Sequence, residues 1–205
     1  VDKEYGYESN GDVYFNVQKF KPYGKLSNQS IDSILSNTRL EINPNKNYEL
    51  DFALWKKAKA GEHSWESHWG NGRPGWHIEC SAMSRKYLGD NFDIHGGGRD
   101  LIFPHHENEI AQSECVSNKK FANYWIHNGL ININKEKMSK SIGNIINIKE
   151  GLKLWDKNIF RILFLTHHYR TPVDLSNKKL EEINKSLLNL KKKLEANVSS
   201  SSNFK

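Results

Sequence analysis

Cysteine is scarce in this chain: Cys80 and Cys115 are the only two among 205 residues. Two thiols cannot staple a disulfide scaffold, so a reducing, cytoplasmic setting is expected. Proline is sparse, at 5 residues, and the 14 glycines follow no repeat, which excludes collagen-like and low-complexity architectures. No apolar run approaches the roughly 18 residues of a membrane span, so no membrane association is expected. The opening residues do not read as a signal peptide, and none is expected. The chain opens Val1-Asp2-Lys3 with no initiator methionine, and the expectation is a piece of a longer protein.

What is present suits a globular protein. Hydrophobic residues make up 37% and charged residues 26%, enough apolar material for a core and an ordinary solvated surface. A length of 205 residues suits one large domain or parts of two. The net charge is +6, compatible with a polyanionic partner but shared by many proteins without one. Asparagine, lysine and isoleucine, which have A/T-rich codons, are abundant, and an A/T-rich genome alone supplies part of that charge.

The alternation Asp12–Val17 predicts a strand with Val13, Phe15 and Val17 on one side. Ser27 suits a helix N-cap, with Leu26 and Ile31 as a hydrophobic staple and the helix ending near Leu35. The segment Gly61–Gly75 shows little periodicity and reads as irregular. Trp76, Cys80, Met83 and Tyr87 fall on one face of a helix that Gly89 can end. A short strand at Phe92–His95 runs into Gly96, Gly97 and Gly98; Pro104 can open a helix reaching Cys115; Tyr124–Ile133 reads as strand. Helical stretches follow near Ile148–Trp155 and Asn158–Thr166. This alternation predicts an α/β domain with a largely parallel sheet. Ser176 can cap a last, long helix whose Leu180, Ile183, Leu187, Leu190 and Leu194 form an apolar seam, with a frayed tail at Ser199–Ser202. That seam needs a partner, and little sequence follows it.

Cys80, His95, His105, His106 and Glu109 crowd into about thirty residues. If Pro104 opens a helix, His105 and Glu109 stand at i and i+4 on one face. With Cys80 they offer the sulfur, nitrogen and oxygen donors that zinc accepts; a buried Cys, a capping His and a surface Glu are the alternative. Cys115 reads as a small buried hydrophobe. The three glycines at a strand end can let backbone N–H groups approach a nucleotide, with Asp100 accepting from ribose hydroxyls; an ordinary tight turn is the alternative. The word Lys137-Met138-Ser139-Lys140-Ser141 is more specific: its lysines and serines can grip a triphosphate and neutralise developing charge.

That word reads KMSKS, the second signature of class I aminoacyl-tRNA synthetases. Together with Gly72–Met83, Asp93–Gly98, Phe103–Ser113 and Trp125–Gly129, it resembles the cysteinyl-tRNA synthetases over about Gly11–Leu190. The resemblance implies the second half of a Rossmann-type catalytic domain (73–144) preceded by the remainder of a connective insertion (1–72). A stem-contact region (145–172) and the start of a helical bundle (173–205) would follow. It implies one Zn2+ per chain held by Cys80, His105 and Glu109, whose fourth family ligand, a cysteine, has no counterpart here. Trp76 and His95 would enclose the substrate. Gly96, Gly97, Gly98 and Asp100 would face adenosine, and Lys140 the phosphates of ATP, which is used with Mg2+.

The implied partners are tRNA(Cys), L-cysteine and ATP, in a monomer. The first class I signature, His-Ile-Gly-His, does not occur in these 205 residues, so this chain by itself is expected not to activate cysteine. Two other readings share the motifs: the cysteine ligase of mycothiol synthesis, and a non-catalytic tRNA-binding paralogue. The Asn/Lys-rich composition, unlike that of G/C-rich actinobacteria, argues against the first. The intact KMSKS word and zinc positions argue against the second.

Overall fold

The computed structural model describes residues 1–37, 43–133, 136–138 and 143–201. The chain divides into two compact units, Val1–Ile126 and His127–Lys205.

The first unit begins with an antiparallel sheet of β1 (Gly6–Ser9), β2 (Asp12–Phe15), β3 (Phe52–Lys57) and β4 (Gly72–Pro74), in that order. The alternation seen at Asp12–Val17 ends early. β2 stops at Phe15, Val17 enters a 3-10 turn, and every residue of β2 is buried rather than every second one. Helix α1 spans Ile31–Asn37. Its cap is Ser30, whose hydroxyl accepts from Ser33 N at 3.2 Å, and not Ser27.

Ser27 is committed elsewhere. The buried carboxylate of Glu107 accepts from Gly24 N at 2.9 Å, Leu26 N at 3.1 Å, and Ser27 N and Oγ at 2.9 and 3.1 Å. This grip ties the turn before α1 to a helix eighty residues on. Glu107→Ala would leave one buried and three half-buried donors unmatched, and is expected to cost about 1–3 kcal/mol. Urea unfolding checks this, and an unchanged midpoint would contradict it.

Helix α2 spans Ile78–Leu88 and ends at Gly89, as its sequence suggests. Its apolar stripe is not a core face, however. Trp76 is 60% exposed, Met83 48% and Tyr87 73%, and Ser81 is the one buried residue of the helix. Strand β5 (Phe92–Gly98) carries the three glycines within it instead of ending before them. A turn at Ile102–His106, containing Pro104, leads into α3 (Glu107–Ser117), and β6 (Ala122–Asn128) pairs with β5.

One core joins these pieces: Phe15, Val17 and Phe52 from the antiparallel sheet meet Ile110, Ala111 and Cys115 of α3 and Phe92 and Phe121. Helix α3 is therefore held from the antiparallel sheet as well as from β5 and β6. Burial of this kind contributes about 1.5–3 kcal/mol per large apolar side chain.

In the second unit β7 (Ile131–Ile133) pairs antiparallel with β8 (Glu136–Lys137) and parallel with β9 (Val173–Asp174). Between them run α4 (Ile148–Leu154), capped by the Asn147 side chain, and α5 (Lys157–Leu165), capped by Asp156. Helix α6 (Asn177–Ser201) starts as its sequence predicts, with Ser176 Oγ accepting from Lys179 N at 3.4 Å, and includes Ser199–Ser201 of the tail expected to fray; Ser202 lies outside the described residues. Its seam is covered only at the beginning. Leu180 and Ile183 pack on Ile159, Leu163 and Val173, whereas Leu190 and Leu194 are 53% and 56% exposed.

Candidate metal and nucleotide site

Three elements of the first unit converge on Glu109. From α3 it is fully buried, at 0% exposure. Its Oε2 meets Nε2 of His95, on β5, at 2.9 Å, and His106 Nε2 lies 3.9 Å from the same oxygen. Its Oε1 faces His105 Nε2 at 3.9 Å and has no hydrogen-bond partner, although it is buried. An orphaned carboxylate oxygen in a protein interior costs about 1–3 kcal/mol unless something electropositive meets it.

Cys80, on α2, completes the arrangement. One ligand atom from each of Cys80, His105 and Glu109 lies within 4.8 Å of the other two. Burial, with the carboxylates of Glu109 and Glu79 adding to it, raises the Cys80 thiol pKa. A divalent cation would reverse that preference, because a coordinated thiol gives up its proton. The donor set of sulfur, imidazole nitrogen and carboxylate oxygen, with Oε1 unsatisfied, fits Zn2+ and leaves room for an exogenous ligand. His95, His106 and Glu109 form a second group of the same compactness, sharing Glu109. There Oε2 already holds His95, so the free oxygen points the metal reading toward Cys80 and His105.

The sequence motifs contain His77 but show no role for it. Its Nδ1 lies 3.0 Å from Nδ1 of His105, so one ring must donate and the other accept. Burial, and then the neighbouring His105, push the His77 pKa down to about 4, which leaves it neutral near pH 7. With the proton on His105 Nδ1, His105 Nε2 is left bare toward Glu109, the state a metal ligand requires. Only the i−3 spacing of His77 from Cys80 hints at this in the sequence.

Trp76 lies over His105 with ring centroids 4.7 Å apart and stays largely exposed, as a flap over the cluster. His95 is packed by Trp125 at 4.7 Å between centroids. Gly97 sits against His106 and Leu101: a Cβ there would come within 2.9 Å of each. Close approach of β5 to the histidine turn therefore requires a residue without a side chain at that position. Gly96, Gly98 and Asp100 continue the same segment, with Asp100 in the turn Arg99–Leu101.

In the second unit, Lys137 is in β8 and Met138 N donates to Ile131 O at 3.2 Å. The Met138 side chain lines an apolar cavity of about 330 Å3 with Ile131, Ile146, Phe160 and Phe164. Ser139, Lys140 and Ser141 lie outside the described residues.

The family model for the catalytic domain of class I (C) tRNA synthetases matches residues 1–185. Among curated relatives, the cysteine--tRNA ligase of Geobacter metallireducens is 58% identical over 182 residues, covering 89% of this chain and 38% of the relative. That of Heliobacterium modesticaldum is 57% identical over 192 residues, covering 93% and 40%. The chain thus spans about 40% of the length of such relatives. A solved ternary complex of Agrobacterium radiobacter K84 agnB2 LeuRS with tRNA and LeuAMS aligns over 52% of this chain and 15% of that one. Its TM-score of 0.44 at 15% identity is too slight a likeness to bear on the fold.

Proposed function

Because the chain belongs to the family of class I (C) tRNA synthetase catalytic domains, we propose that the protein carrying it joins L-cysteine to tRNA(Cys) at the expense of ATP. The supporting observation is the Cys80–His105–Glu109 cluster with its unsatisfied Glu109 oxygen, in a chain whose relatives are named cysteine--tRNA ligases.

In this reading Cys80, His105 and Glu109 hold Zn2+. When bound there, the ion would supply selectivity, because zinc accepts a soft thiolate far more readily than the neutral hydroxyl of serine. Trp76 and His95 close around the substrate side chain and exclude water. The glycine segment Gly96–Gly98 presents backbone to adenosine, and Asp100 accepts from the ribose hydroxyls. The cysteine carboxylate attacks the α-phosphate of ATP, the bond to the departing pyrophosphate breaks, and cysteinyl-adenylate forms. The terminal ribose hydroxyl of the tRNA then takes the aminoacyl group and AMP leaves.

Neither step needs a protein nucleophile, so positioning and charge neutralisation carry the rate. Lys137 and Lys140 neutralise the pyrophosphate, Ser139 and Ser141 hydrogen-bond to it, and Mg2+ bound to ATP would share in offsetting that charge. The domain limits expected from the sequence belong to the same proposal: residues 145–172 against the tRNA stem and 173–205 opening a helical bundle. So do a monomeric state and a cytoplasmic location. Among the described residues, no helix is long and apolar enough to cross a membrane.

The test is cysteine-dependent exchange of pyrophosphate into ATP by the complete protein, followed by charging of tRNA(Cys). Exchange is expected with cysteine and none above background with serine. Silence with cysteine would support a tRNA-binding role without catalysis, and transfer to an amino sugar in place of tRNA would identify the related ligase.

A further inference from the structure

We propose that Gln112 is a positioning residue for the metal cluster: it clamps α2 to α3 and thereby sets the distance between Cys80 and the pair His105 and Glu109. This rests on the reading of those three residues as zinc ligands.

Gln112 is on α3, three residues after Glu109, and only 5% exposed. Its side-chain amide donates at two points of α2 and its entry, to His77 O at 2.6 Å and to Ser81 Oγ at 2.6 Å. Those two acceptors bracket Cys80, one three residues before it and one immediately after. An amide nitrogen has two N–H donors, and both are used, which fixes orientation as well as distance. The amide oxygen is buried without a partner. Reversing the amide would set that oxygen against the carbonyl of His77, so the nitrogen is the atom that fits.

Apolar packing does not do this work. Ser81 is the one buried residue of α2, and Met83, Tyr87 and Leu88 are 48%, 73% and 58% exposed. A helix that buries so little against its neighbour slides and tilts readily unless polar contacts hold it. The held residue, His77, then reaches His105 through its ring at 3.0 Å. One side chain on α3 thus fixes the helix that bears the sulfur ligand and, through His77, the rotation of the nitrogen ligand. Metal sites tolerate little looseness, and loss of an outer hydrogen bond commonly weakens metal binding about 10–100-fold.

The experiment uses the complete, zinc-loaded protein and two variants of nearly unchanged side-chain volume, Gln112→Met and Gln112→Glu. Zinc affinity is read by chelator competition, and KM for cysteine and for ATP are measured separately. Gln112→Met is expected to weaken zinc about tenfold or more, to raise KM for cysteine in parallel, and to leave KM for ATP unchanged. Gln112→Glu, which puts a carboxylate oxygen against His77 O, is expected to be at least as damaging. A zinc affinity within about twofold of the parent, together with a lowered melting temperature of the zinc-free protein, would show a structural role only and overturn the proposal. Should neither variant fold, Ser81→Ala removes one of the two acceptors and is expected to weaken zinc a few-fold; an unchanged affinity there also overturns it. A parent protein that binds no zinc would refute the underlying reading instead, before any variant is compared.

Discussion

Cys80→Ala is expected to strip the complete protein of most of its zinc, weakening binding by more than about a hundredfold, beyond the loss typical of an outer-shell change. KM for cysteine should rise with it. Of the donors this chain supplies, only His105 and Glu109 would remain, and the site would lose a sulfur ligand that a soft metal favours. The control is the other thiol. Cys115 packs in the core of the first unit, and burial pushes its pKa up to about 11. Its Sγ donates to Gln112 O at 3.4 Å, within its own helix. Cys115→Ala should therefore keep its zinc and lose only stability. Metal analysis of the two purified variants decides the matter, and zinc retained at one per chain in Cys80→Ala would refute the ligand assignment.

The second large effect is expected on the rate, not on metal content. Lys140→Ala should slow adenylate formation at least about tenfold, roughly 1.4 kcal/mol of transition-state stabilisation, while cysteine binding hardly changes. Lys140 is the second lysine of the KMSKS word, which the family resemblance sets against the phosphates of ATP. At the start of the word, Met138 N donates to Ile131 O, and the Met138 side chain lines the apolar cavity of the second unit. Pre-steady-state formation of adenylate, compared with equilibrium binding of cysteine, separates the two effects. A loss of cysteine affinity with activation intact would contradict the role given to Lys140.

Features written in consecutive residues were legible from the sequence alone. The glycine at position 89 that ends α2 and the Ser176 start of α6 depend on neighbours within a turn or two, and that spacing is the sequence itself. The i, i+4 spacing of His105 and Glu109 is legible as well, although the structure brings the two together across the end of the Ile102–His106 turn and the first turn of α3 rather than within one helix opened by Pro104.

Tertiary structure decided the rest, since choosing among chemically adequate partners depends on which one is near. Ser27 has the chemistry of a cap, yet Glu107 claims it from eighty residues away and Ser30 caps α1. Trp76, Met83 and Tyr87 have the period of a core stripe, but no described part of the first unit covers them, and they stay exposed. Spacing cannot tell which oxygen of Glu109 goes to His95 and which is left without a hydrogen-bond partner, nor that Gln112 reaches back to His77 and Ser81. Those choices follow from the approach of α2, α3 and β5. Contacts far apart in the chain set that approach, so the residues' order in sequence carries no local trace of it.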